Sequence, residues 1–141
     1  LLRVTRESLD LAIEKVVLEG KRISDIGTVI QDHVEASGFS VVRDFVGHGI
    51  GRSLHEEPQI PHDRSSGHNE RIRSGMVLAI EPMVNAGVPE VDVLGDGWTA
   101  VTRDRRLSAH FEFSVAVTAY GPWILAEPYP YGELEAEVAN A

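Results

Sequence analysis

The hydrophobic period of this chain changes once, after Gly38, and that change limits the folds open to it. Before it, apolar residues recur at helical spacing. Leu9, Ile13, Val16 and Val17 form one stripe, and Ile26, Ile30 and Val34 form another. The pattern predicts helices over 5–20 and 24–37, with Thr5 as N-cap, Gly20 just past the first helix and Gly38 ending the second. From Phe39 onward the runs are short, β-branched or alternating. They predict strands over 39–46, 76–83, 98–103, 109–118 and 123–126, with a turn at Asp104-Arg105-Arg106 and irregular chain over 47–69. Helices followed by consecutive strands make an α+β arrangement, two helices packed on an antiparallel sheet.

Two carboxylates break this pattern. Glu81 interrupts the apolar run Val77-Leu-Ala-Ile80 and is followed by Pro82-Met83. A carboxylate in such a strand must be paired, protonated or bound to a metal. In Ala109–Thr118, Phe111, Phe113, Val115 and Val117 take one face, and His110, Glu112, Ser114 and Thr118 the other. His110 and Glu112 therefore project together, about 7 Å apart along the strand. A third group of residues lies in Gly47-His-Gly-Ile-Gly-Arg-Ser-Leu-His-Glu-Glu-Pro-Gln-Ile-Pro-His62, where His48 sits among glycines that let a ligand approach closely. His55 and His62 follow at intervals of seven residues. Three His and two strand carboxylates are an O/N donor set suited to Mn, Fe(II), Co, Ni or Zn.

Composition removes other classes. With 13 Lys+Arg against 22 Asp+Glu the chain carries a formal charge of −9, and no basic cluster is present to meet nucleic-acid phosphates. No run approaches the ~18 apolar residues of a membrane span. There is no cysteine, so a metal must rest on His, Asp and Glu, in keeping with a cytoplasmic location. The Gly47-x-Gly-x-Gly run is followed by no Gly-Lys-Ser/Thr, there is no Gly-x-Ser-x-Gly, and Pro58 breaks any His-Glu-x-x-His helix. After Ala126 only acidic charges occur, interleaved with Pro and Tyr, which predicts a flexible acidic tail over 127–141 behind a unit spanning 1–126.

Gly47-His-Gly-Ile-Gly-Arg-Ser-Leu-His-Glu-Glu-Pro58, Met76-Val-Leu-Ala-Ile-Glu-Pro-Met83, Asp96-Gly-Trp-Thr99 and Ser108-Ala-His-Phe-Glu112, in that order, resemble the type I methionine aminopeptidases. These belong to the creatinase/aminopeptidase superfamily with its "pita-bread" fold of two pseudo-symmetric halves, and the likeness is to the C-terminal half. The resemblance implies metal-dependent removal of N-terminal methionine from nascent polypeptides with a small second residue, through a metal-bound hydroxide held by two divalent ions (Co, Mn, Fe, Zn or Ni). It implies metal ligation by His48, Glu81 and Glu112, catalytic roles for Glu81 and His55, and substrate contacts from His55, Leu54 and Trp98. The implied partner is the N-terminal Met of nascent peptides, in a ribosome-associated context, with no nucleic acid and no membrane.

Two departures accompany the likeness. The family's two Asp ligands stand in its N-terminal half, and none of the eight Asp here lies in such a motif, so the expectation is a partial chain supplying three of five ligands. The family usually has Gln-aromatic-Glu-His where this chain has His110-Phe-Glu-Phe113. That puts a new imidazole on the Glu112 face, read as a partner to the metal ligands or an extra ligand. The alternative to an enzyme is a non-catalytic binding or interaction module on the same half-fold.

Overall fold

The computed structural model describes residues 1–64, 69–128 and 130. Among these residues two helices, α1 (Leu2–Val16) and α2 (Ile23–Ala36), precede ten short strands. These are β1 (Ser40–Val41), β2 (Gly47–Gly49), β3 (Glu56–Ile60), β4 (Val77–Ile80), β5 (Met83–Asn85), β6 (Val91–Val93), β7 (Ala100–Thr102), β8 (Ser108–His110), β9 (Phe113–Thr118) and β10 (Gly121–Ile124). Every strand pair is antiparallel, in sheets ordered β10-β9-β4-β2-β3, β1-β5-β8 and β6-β7. Most of the acidic segment predicted as a tail, residues 129 and 131–141, lies outside the described residues.

Both predicted stripes are buried. Leu9, Ile13, Val16 and Val17 of the first and Ile26, Ile30 and Val34 of the second join Ile60, Leu78, Ile80, Val115 and Val117 in one core. The helix starts earlier than its sequence suggests. Thr5 is not a cap but a buried residue of the first turns, and its hydroxyl donates back to the Leu1 carbonyl at 3.1 Å. Gly38, at φ +78°, takes the left-handed conformation that ends α2.

Gly27 of α2 packs tightly against the chain that follows β3. A Cβ there would meet the carbonyl oxygens of Asp63 and Pro61, the latter at 2.7 Å. Gly27→Ala is therefore expected to destabilise the chain by about 1–3 kcal/mol from overpacking, although Ala is the better helix former by about 1 kcal/mol. A lowered thermal midpoint checks it, and an unchanged or raised one would show that the loop after β3 yields.

The strands depart from expectation in two informative ways. Residues 47–69, read as irregular, contain β2 and β3, both in the five-stranded sheet. Their low β-propensity is overridden by close packing, since a Cβ on Gly47 would strike the Ala79 carbonyl and one on Gly49 the Glu57 carbonyl. The two long predicted strands are each cut in two. β4 and β5 are separated by Glu81-Pro82, and β8 and β9 by Phe111-Glu112. Ile80 pairs with Phe113, and Met83 with His110, so the same register runs through both gaps. Glu81 thus lies opposite Glu112 where the pairing passes from one sheet to the next. Proline has no N–H to give a ladder, which helps open this gap.

Candidate metal centre

The gap places two carboxylates where no strand pairing holds their backbone. Like charges directly opposite on paired strands repel. The carboxyl pKa of Glu81 is accordingly raised, first by burial and then by the charge of Glu112, with His48 and His110 opposing. An arrangement that is unfavourable for two bare carboxylates is a natural place for a cation.

The neighbouring strands bring imidazoles to this point. On β2, His48 pairs with Ala79 of β4. Glu81, two residues beyond Ala79, shares its face, so the ring and the carboxylate converge with Nε2 of His48 3.5 Å from Oε1 of Glu81. Nδ1 of His48 donates to the Gly49 carbonyl at 2.9 Å. That bond leaves the Nε2 lone pair facing a carboxylate oxygen, and a proton or a metal ion between them resolves the clash of two acceptors. On β8, His110 brings Nε2 to 3.7 Å from the other oxygen, Oε2. Ligating atoms of Glu81, His110 and Glu112 all lie within 4.8 Å of one another, the metal-competent group found among the described residues. Two donors about 2.1 Å from a tetrahedral ion are about 3.4 Å apart, so both histidine–glutamate spacings fit coordination after small adjustments.

His55 stacks beside His48, ring centroids 4.3 Å apart and planes tilted by 56°. The two rings border an open cleft of about 420 Å³ that Val46, Glu57 and Gln59 also line. Leu54 and Trp98 stand outside that cleft, 69 % and 89 % exposed. Phe113, where the resembled family has His, faces away from the carboxylates and carries the Arg6 guanidinium 4.6 Å above its ring.

His62 plays a part that its spacing does not suggest. Its ring is 2 % exposed, outside the metal-competent group, and Nε2 accepts the backbone N–H of Glu81 at 3.1 Å. The bond satisfies an amide that the broken ladder leaves without a strand partner. Burial, and after it the nearby charge of His110, pushes the His62 pKa down to about 4, so the ring is neutral at pH 7. No local signal in the sequence marks this role, because residues 47–69 read as irregular and the contact joins residues 19 positions apart.

Residues 1–119 match the profile of Metallopeptidase family M24. The chain is 57 % identical over 125 residues to methionine aminopeptidase A of Synechocystis, covering 89 % of this chain and 49 % of that protein. To the methionine aminopeptidase of Clostridium perfringens it is 54 % identical over 125 residues, covering 89 % and 50 %. Among solved structures, the methionine aminopeptidase of Thermotoga maritima superposes with a TM-score of 0.84 at 50 % identity, covering 89 % of this chain and 50 % of that one. The chain thus spans about half the length of the curated relatives it matches.

Proposed function

The chain belongs to metallopeptidase family M24, and on that premise we propose that it forms the His48–Glu81–Glu112 side of a metal centre that removes N-terminal methionine from peptides with a small second residue. The observation that carries this reading is the juxtaposition of Glu81 and Glu112 at facing strand breaks, with the free Nε2 of His48 turned onto Glu81. His48, Glu81 and Glu112 would hold the metal, and a bound divalent ion supplies an activated water and polarises the scissile carbonyl. Glu81, whose affinity for protons is raised by its surroundings, exchanges a proton with the attacking water and then with the leaving amine. His55, stacked beside His48, donates a hydrogen bond to the oxygen on which charge develops. Leu54 and Trp98, both exposed, supply apolar surface for the thioether side chain. The same reading takes residues 1–126 as the catalytic unit, two ions as the full complement, nascent chains as substrate and the cytoplasm as location. No helix among the described residues is long and apolar enough to cross a membrane.

The test uses the 141-residue chain with Mn²⁺, Co²⁺ or Fe²⁺ and a Met-Ala-Ser peptide. With three of the five expected ligands on this chain, metal binding with little or no release of methionine is the expected result, and robust chelator-sensitive release would show that these three suffice without the two Asp. Failure to bind any of the three ions overturns the metal-centre reading altogether.

A further inference from the structure

We propose that His110 is itself a metal ligand, and that Glu81, His110 and Glu112 together hold one divalent ion using side chains of this chain alone. The inference rests on reading the strand breaks as a metal centre, and goes beyond it in the ligand set. Two imidazoles approach Glu81, one for each oxygen. Nε2 of His48 faces Oε1 at 3.5 Å, and Nε2 of His110 faces Oε2 at 3.7 Å. At 3.7 Å the His110 contact is too long for a hydrogen bond, so the ring is not simply steering the carboxylate. It is close to the separation of two donors sharing an ion, and Glu112 completes a group whose donor atoms all lie within 4.8 Å.

The backbone explains why the ring is there. His110 is the last residue of β8, paired with Met83. It lies two positions before Glu112, so alternation sends both side chains to one face. Its side chain is 42 % exposed, which leaves room for an ion to enter and for water to fill its remaining positions. One imidazole and two carboxylates form a donor set of intermediate hardness, open to Mn²⁺, Fe²⁺, Co²⁺ or Zn²⁺. In the resembled family this position usually carries Gln, whose amide is a poorer ligand. The substitution therefore strengthens the donor set at the side of Glu81 that His48 does not reach.

Co²⁺ titration of the 141-residue chain, followed by calorimetry and by the visible bands of the bound ion, provides the test. His110→Gln is expected to weaken Co²⁺ binding by more than about 100-fold, beyond the 10–100-fold typical of a residue that only supports a ligand. It should also remove one set of strongly shifted imidazole proton signals from the spectrum of the Co²⁺-loaded protein. The metal-free variant should melt within a few degrees of the parent chain, since the ring is partly exposed. If His110→Gln binds Co²⁺ as the parent does, or keeps every shifted ring signal, His110 is not a ligand. Should Glu81→Gln lose the ion in the same assay, that result would leave the wider metal-centre reading standing. If the parent chain binds no Co²⁺, both fall together.

Discussion

Glu81→Gln is expected to weaken Mn²⁺ binding at least about 100-fold while leaving the metal-free protein as stable as the parent or more so. The two effects separate because the same carboxylate acts in two ways. With an ion present it would share that ion with the histidines that face its two oxygens, His48 and His110. Without one it is a half-buried charge opposite Glu112, and its pKa is raised chiefly by burial. The folded state holds that proton more tightly than the unfolded chain. Stability of the metal-free protein therefore falls as pH rises from about the unfolded value of 4.5 through the higher folded one. The Gln variant lacks this loss, so at pH 7 its melting midpoint should be equal or higher. In preparations that release methionine, turnover should drop by about 10²–10⁴-fold, the range for a lost acid/base group. Calorimetric Mn²⁺ titration and metal-free melts check both halves. A variant that binds Mn²⁺ normally, or unfolds readily without metal, would place Glu81 in a structural role instead.

Acid should weaken the fold through His62. The ring is buried and neutral, with a pKa near 4 against 6.5 in the unfolded chain. Between those values the unfolded state binds the extra proton. Stability is thus fully present above about pH 6.5 and is lost as pH falls toward 4. The shift corresponds to about 3 kcal/mol at its limit, roughly a 10 °C change in melting midpoint for a chain of this size. Glu81 titrates against this trend over part of the same window. The clean measurement is urea unfolding of metal-free Glu81→Gln at pH 7, 6, 5 and 4, with and without His62→Gln. The added substitution keeps an acceptor for the Glu81 amide but removes the titration. Its pH slope should be visibly shallower, and equal slopes would show that His62 does not carry the effect.

Much of the fold was legible because it depends on local periodicity. Helical spacing in the first 38 residues marks the faces that do become buried, and the turn at Asp104–Arg106 follows from local chemistry, with Arg105 at φ +62°. The misses at β2 and at the strand breaks share one cause. Gly47 and Gly49 look like loop residues, yet their lack of a side chain is what lets β2 lie against Ala79 and Glu57. Likewise, 76–83 and 109–118 each read as one strand, since nothing in either run alone reveals that a second interruption lies opposite the first.

By itself the sequence determined which side chains could carry the chemistry. Glu81 in an apolar strand, Glu112 and His110 on one face of another, and His48 between glycines are anomalies visible without coordinates, because a charge or a ring must answer to its nearest neighbours in the chain. Only the tertiary structure decided how they combine. Strand register set Glu81 against Glu112, the bond from Nδ1 to Gly49 turned the lone pair of His48 inward, and burial made His62 a neutral acceptor for the Glu81 amide. Those relations join residues 19 and 31 positions apart in the chain or fix the state of a ring by what surrounds it, and no local period encodes them.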